Sequence, residues 1–225
     1  MQHAGGWADT ILRECGQMPS ARRRLVAANQ VIYLGVPRGK CFVVRSGYVT
    51  LFDLGNQGDR CIRLIPGRGG LVGDRPFTTA AFAESTTPLS EHAVSNGPAE
   101  LLEVDRADLE ASARSRPEFA VMLLESATGL AQFLQRRLGW QFASPVRVRL
   151  AMALRDLLSS EGQRCRHGHS VDVRLTHQDL AELVVAARPV VSAELSRLRN
   201  EGVIAYTRSY FCIDDLAGLN RIAGG

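Results

Sequence analysis

Lysine is almost absent from this chain. Lys40 is the single lysine among 225 residues, so arginine carries nearly all of the positive charge behind the formal net charge of +4. Such a mild positive balance permits a nucleic-acid partner without establishing one. No apolar run approaches the ~20 residues needed to cross a bilayer. The stretch Met1 to Gln17 lacks the basic and apolar regions of a secretion signal. The expectation is a cytoplasmic protein with no membrane partner. The five cysteines (Cys15, Cys41, Cys61, Cys165 and Cys212) are odd in number, scattered and never at C-x-x-C spacing. A disulfide framework or a structural zinc site therefore has no support. No Gly-rich nucleotide loop, Ser/His/Asp order or metal-ligand spacing appears. A cupin-type enzyme would need histidines clustered on strands, where only His92 falls. An enzyme is not expected.

What is present is ordinary globular composition, 45% hydrophobic and 22% charged, at a length suited to two modest domains. From Leu25 to about Val104 short β-rich runs alternate with Gly, Pro and Asn. The runs are Val31–Leu34, Cys41–Arg45, Tyr48–Leu54, Cys61–Ile65, His92–Val94 and Ala99–Val104. Turn signals lie between them, at Ser46-Gly47 among others, which predicts an all-β sandwich or barrel. The period then changes. Arg106 to Ala113 reads as a short helix and Pro117 opens a long one, proline being suited to a first helical turn. Leu123, Ala127, Leu130, Leu134 and Leu138 recur at steps of three and four. Such a stripe predicts a dimer seam of coiled-coil type, the alternative being a helix packed on its own domain. Ser144-Pro145 marks a hinge. Val146 to Leu158 is a second amphipathic helix with Arg147, Arg149 and Arg155 on its polar side, and Ser159 to Ser170 reads as a loop.

The most specific pattern runs from Val171 to Phe211. Val171 to Leu175 alternates as a strand, and Thr176 is an N-cap for a helix over His177 to Val184. Val185-Ala186-Ala187 is a tight connection, and a second helix runs from Pro189 to Asn200. Gly202 stops it, and Val203 to Tyr206 with Tyr210 to Ile213 form a hairpin around Thr207-Arg208-Ser209. Strand, helix, turn, helix and hairpin together describe a winged helix-turn-helix. That arrangement places the second helix in the major groove of duplex DNA, with the wing residue Arg208 near a phosphate.

These residues carry a resemblance. Leu175-Thr176-His177-Gln178-Asp179-Leu180-Ala181, Ala187-Arg188-Pro189-Val190-Val191-Ser192, Leu195-Ser196-Arg197-Leu198 and Glu201-Gly202-Val203-Ile204 resemble the DNA-binding domain of the CRP/FNR superfamily. Upstream, Gln30-Val31-Ile32-Tyr33 with Gly35, then Phe42 to Leu51, is similar to that family's double-stranded β-roll. The resemblance implies an α+β chain in three parts: a jelly-roll-like β-roll sensor over 1–115, a dimerisation helix and hinge over 116–144, and a winged helix-turn-helix over 145–225. It implies a cytoplasmic homodimer on a two-fold operator, working with RNA polymerase. Arg188 matches the family's base-reading arginine, whose planar fork suits guanine O6 and N7. Pro189 stands where a glutamate is common. Val190 is placed to meet a thymine methyl; His177, Ser192, Ala193, Ser196 and Arg197 lie on or beside the DNA-facing side. Thr176 and Gln178 match phosphate-holding positions.

The sensor reading is more open. Gly73-Asp74 stands in place of the Gly-Glu step of the family's cyclic-nucleotide cassette. The Arg-Ser position falls near Leu89-Ser90, so the charge partner for a cyclic phosphate is missing, and Leu134-Gln135 replaces adenine-binding hydroxyls. Cyclic AMP is therefore not the expected effector. Cys15 alone does not hold an iron–sulfur cluster, whereas His3, His92 or a cysteine leaves a haem or redox sensor open. Arg63, Arg68 and Arg75, with Gly73, Asp74 and Ser90, form the candidate effector site. Arginines suit a carboxylate, and the family's global nitrogen regulators respond to a dicarboxylate. Surface arginines with no ligand, a regulator controlled by abundance alone, and an interaction module that never touches DNA are the remaining alternatives.

Overall fold

A computed structural model describes residues 4–35, 37–55, 58–77, 91–161, 164–165, 168–171, 173–207 and 210–224. The chain divides into two compact units, His3–Ala131 and Gln132–Gly225, and the division falls inside the long helix.

The first unit opens with α1 (Ala4–Gly16), which the sequence reading did not anticipate. Trp7, Ala8, Ile11, Leu12 and Cys15 recur at helical spacing, and Ile11 and Cys15 are fully buried. The strands are β1 (Arg22–Val26), β2 (Val31–Leu34), β3 (Lys40–Leu54), β4 (Arg60–Leu64), β5 (Leu71–Gly73) and β6 (Glu91–Asp105). They pair antiparallel in the order β1-β6-β3-β4, with β2 on β6 and β5 on β3. The two runs expected on either side of Ser46-Gly47 are one strand. Gly47 (φ +76°) sits so close to Pro98 that a Cβ would lie 2.5 Å from its carbonyl oxygen, and the register slips at Ser46 on both sides. A bulge bends β3 there without ending it. The runs His92–Val94 and Ala99–Val104 likewise join as β6, which pairs with β3 from Lys40↔Asp105 to Asp53↔Glu91.

Alternation along these long strands sends residues to two cores. Phe42, Val44, Val49, Leu51 and Leu101 pack with Ile32, Tyr33 and Val72 inside the roll. Cys41, Val43, Leu102 and Val104 face the other way, under α1, α2 (Arg106–Ser115) and the first turns of α3 (Pro117–Ala143). Each fully buried aliphatic side chain contributes roughly 1.5–3 kcal/mol. Phe119 and Leu123 of α3 belong to this second core, Leu123 with 8% of its surface exposed. That corrects its expected place in a dimer seam, because packing on its own unit already covers it. Ala127, Leu134 and Leu138 are exposed, as are Leu124 and Phe142, while Leu130 is half-buried.

The second unit continues from the end of α3 into α4 (Val146–Glu161), β7 (Arg164–Cys165) and β8 (Gly168–Val171). The expected loop over Ser159 to Ser170 is thus partly helix and partly hairpin. The strand expected over Val171 to Leu175 ends at Val171, and Val173 and Leu175 are buried anchors in extended chain leading to the next helix. Then come α5 (His177–Val184), α6 (Arg188–Asn200), β9 (Ile204–Tyr206), β10 (Phe211–Ile213) and the unanticipated α7 (Leu216–Ile222). The sheet order is β7-β8-β10-β9. Leu150, Leu154, Leu180, Val191, Leu195, Leu198, Phe211 and Ile213 fill its core.

Candidate nucleic-acid interface

The first helix of the motif, α5, starts at a capping box. The Thr176 hydroxyl accepts from the Asp179 N–H at 3.1 Å, and the Asp179 carboxylate accepts from the Thr176 N–H at 2.9 Å. At its other end Val185 takes the left-handed conformation (φ +52°), which turns the chain toward α6 within three residues. A β-branched residue is strained there, so the turn needs support. Arg149 of α4 supplies it, donating to the Val184 carbonyl at 2.8 Å and to the Val185 carbonyl at 3.1 Å. Buried Arg137 of α3 donates to the Leu183 carbonyl. These carbonyls are among those a helix end leaves without partners. Arg147 pairs with Glu201 at the far end of α6, at 3.0 Å through one nitrogen and with a second, closer contact. The pairing holds the Glu201 carboxyl below its ordinary range. Sequence reasoning placed Arg147 and Arg149 on a polar face and missed these tasks, since their carbonyl and carboxylate partners lie 35 or more residues away.

Ala187 precedes α6, Arg188 is its first residue, and Pro189 sits where its missing N–H costs no helical bond. Arg188, Pro189, Val190, Ala193, Ser196 and Arg197 are exposed, and Ser192 is half-buried. Most of the polar groups are engaged within the motif. Ser192 Oγ lies 2.9 Å from His177 Nδ1, Ser196 Oγ donates to the Ser192 carbonyl at 2.9 Å, and Arg197 pairs with Glu194 at 2.7 Å. Gln178 donates to Glu182 at 3.0 Å. His177 is half-buried and meets Tyr206 edge-on, with ring centroids 5.4 Å apart. Burial and the neighbouring Arg188 charge hold its pKa below the ordinary value. Arg188 itself makes no hydrogen bond or ion pair among the described residues. Its charge stands at a helix start with its donors unengaged. Arg208 lies outside the described residues.

Comparison with known proteins agrees with this geometry. Residues 148–222 match the Crp-like helix-turn-helix domain. The global nitrogen regulator of Nostoc sp. is 25% identical over 206 residues, covering 92% of this chain and 91% of that protein. The global nitrogen regulator of Synechocystis sp. is 20% identical over 94% of this chain and 93% of its own. Among solved structures, FixK2 from Bradyrhizobium japonicum shares the fold with a TM-score of 0.75 at 16% identity, over 90% of this chain and 96% of that one. A CRP/FNR-family transcriptional regulator from Thermus thermophilus gives 0.72 at 22% identity, over 91% and 99%. The chain thus carries a Crp-like helix-turn-helix domain at 148–222 and is similar, over most of its length, to CRP/FNR-type transcription regulators.

In the β-roll the candidate effector residues are engaged with their own chain. Arg63 lies 3.0 Å from Asp53 and also pairs with Glu91, and Arg75 lies 3.7 Å from the same Glu91 carboxylate. Tyr33 donates to Glu91 at 2.5 Å, and the Gly73 N–H donates to the Tyr33 oxygen at 3.1 Å. Burial raises the Asp53 carboxyl. Asp74 accepts from the Gly39 N–H at 2.8 Å and pairs with Arg106 at 3.0 Å, while Arg68 reaches Asp9 at 2.5 Å. Arg63, Gly73, Arg75 and the unforeseen Tyr33, Asp53 and Glu91 therefore form one cluster, with Arg68 and Asp74 in separate pairs. Ser90 lies outside the described residues. His92 accepts the Gly35 N–H at 3.3 Å and stacks on Phe52, and His3 is not described. Burial pushes the Cys15 and Cys41 thiols up to about 12, away from the reactive thiolate.

Proposed function

We propose that the chain acts as a cytoplasmic homodimer that binds a two-fold operator sequence-specifically and works with RNA polymerase. Arg188 carries this reading: an exposed guanidinium with no hydrogen-bond or ionic partner among the described residues begins the second helix of a helix-turn-helix whose turn is braced by Arg137 and Arg149. Base readout needs a fork held at a fixed place and not already occupied, and this position offers both. The exposed Leu124, Ala127, Leu134, Leu138 and Phe142 along α3 support the dimer, since they follow one face at coiled-coil spacing.

Control by a small effector in the β-roll belongs to the same reading. Asp74 is committed to Arg106 and to a backbone N–H, which supports an effector other than cyclic AMP. A carboxylate effector would reach Arg63 and Arg75 only by displacing Glu91. Selection of bound sequences from a random duplex pool tests the function. A two-fold motif with half-sites about one helical turn apart is expected, with affinity falling steeply as salt rises. A pool that shows no enrichment at low salt contradicts it.

A further inference from the structure

We infer that α6 reads thymine methyl groups: Arg188 fixes one guanine, and Pro189, Val190 and Ala193 select thymine at neighbouring steps. The inference rests on the DNA-binding reading above and adds the chemistry of its target.

The exposed surface behind Arg188 is unusual for a helix that reads DNA. Pro189 and Ala193, four residues apart, share a face, and Val190 and Ala193 are three apart on the same side. All three are exposed, Val190 by 45% of its surface. None has a polar side-chain atom, and Pro189 has no N–H. The hydroxyls that flank them point elsewhere. Ser192 is taken by His177, Ser196 turns back to the Ser192 carbonyl, and Arg197 is drawn to Glu194. The side chains facing the groove over the first two turns therefore offer one strong donor and a patch of methyl and methylene groups.

Major-groove chemistry narrows what such a patch can select. Every base edge there presents donors or acceptors, and thymine alone adds an apolar group, its C5 methyl. An apolar patch against that methyl removes both from water. Against a G·C pair the same patch strips water from polar edges and returns no hydrogen bond, which is unfavourable. Preference for A·T pairs thus comes from attraction on one side and desolvation on the other. Val190 is the principal selector because its side chain is the largest of the three and is exposed by 45% of its surface.

The test uses the full chain and the operator recovered by selection. Each thymine near the selected guanine is replaced by deoxyuridine, which deletes only the methyl. Affinities are then compared for the wild type and for Val190→Ser, a substitution on an exposed surface. Loss of one methyl-sized contact is expected to weaken wild-type binding about fourfold, and a two-fold operator presents each such contact twice. Val190→Ser should lose most of this sensitivity while still responding when the guanine is replaced by 7-deazaguanine, which removes N7, one of the two acceptors for Arg188. Equal wild-type affinity for thymine and deoxyuridine operators, or an unchanged uridine penalty in Val190→Ser, overturns the inference and leaves DNA binding standing. A protein that enriches no sequence and ignores the guanine substitution fails at the earlier step, and both readings fall.

Discussion

Arginine has opposite roles in the two units. In the β-roll, Arg63, Arg75, Arg68, Arg106 and Arg23 each face a carboxylate of the same unit. In the helix-turn-helix, Arg137 and Arg149 hold backbone carbonyls and Arg147 holds Glu201, while Arg188 is left without an ionic partner among the described residues. An arginine near a presumed pocket is therefore no sign of a ligand when a carboxylate sits across the sheet. An arginine at the start of a braced helix, with its donors unengaged, is a different object.

The largest effect that would break this contrast comes from the β-roll. Glu91 is buried and answers Tyr33, Arg63 and Arg75 together. Glu91→Ala is expected to cost about 2–3 kcal/mol in urea unfolding of the full chain, less than for a fully buried pair because Arg63 is partly in solvent. An unchanged midpoint would reduce the cluster to a surface pair. Arg149→Met, which keeps the apolar stem but strips the donors from two carbonyls, is expected to cost roughly 1–2 kcal/mol, read as a lowered melting temperature. Smaller still is Val185→Gly, which relieves the left-handed valine. A gain of about 0.5–1 kcal/mol is expected, and a loss would mean that the valine side chain supports the turn by packing.

The smallest effect concerns protons. His177 is held below its ordinary pKa of 6.5, by burial first and then by Arg188. The unfolded chain accepts a proton that the folded chain resists, so the unfolded state binds more protons over the window beneath 6.5. Stability should accordingly fall as pH drops through that window. The stability difference between the wild type and His177→Asn should narrow or widen with pH only there. A difference that stays constant from about pH 7 to 5 would show that His177 titrates alike in both states.

Much of the helix-turn-helix was legible because its signals are local. Thr176 three residues before Asp179, the small connection at 185–187 and Pro189 at a helix start each act within a few residues, and α5 and α6 fall within one residue of the expected bounds. Local punctuation misled where tertiary pairing overrode it. Ser46-Gly47 reads as a turn, and His92–Val94 and Ala99–Val104 read as separate runs, yet the long β3–β6 ladder carries the chain through both places. Leu123 fits the α3 stripe by spacing, and only the neighbouring Phe119, Leu109 and Val43 reveal that its own unit covers it. The Glu91 cluster was invisible for the same reason, since its members come from β2, β3, β4, β5 and β6 and from the chain just after β5.

The most direct test of the account is a double-mutant cycle between Arg188 and the operator guanine. Wild type should discriminate against a replaced guanine by about 1–3 kcal/mol, and Arg188→Ala should bind both operators alike while unfolding at the wild-type denaturant midpoint. Full discrimination retained in Arg188→Ala would contradict the account and move the reading residue elsewhere on the protein.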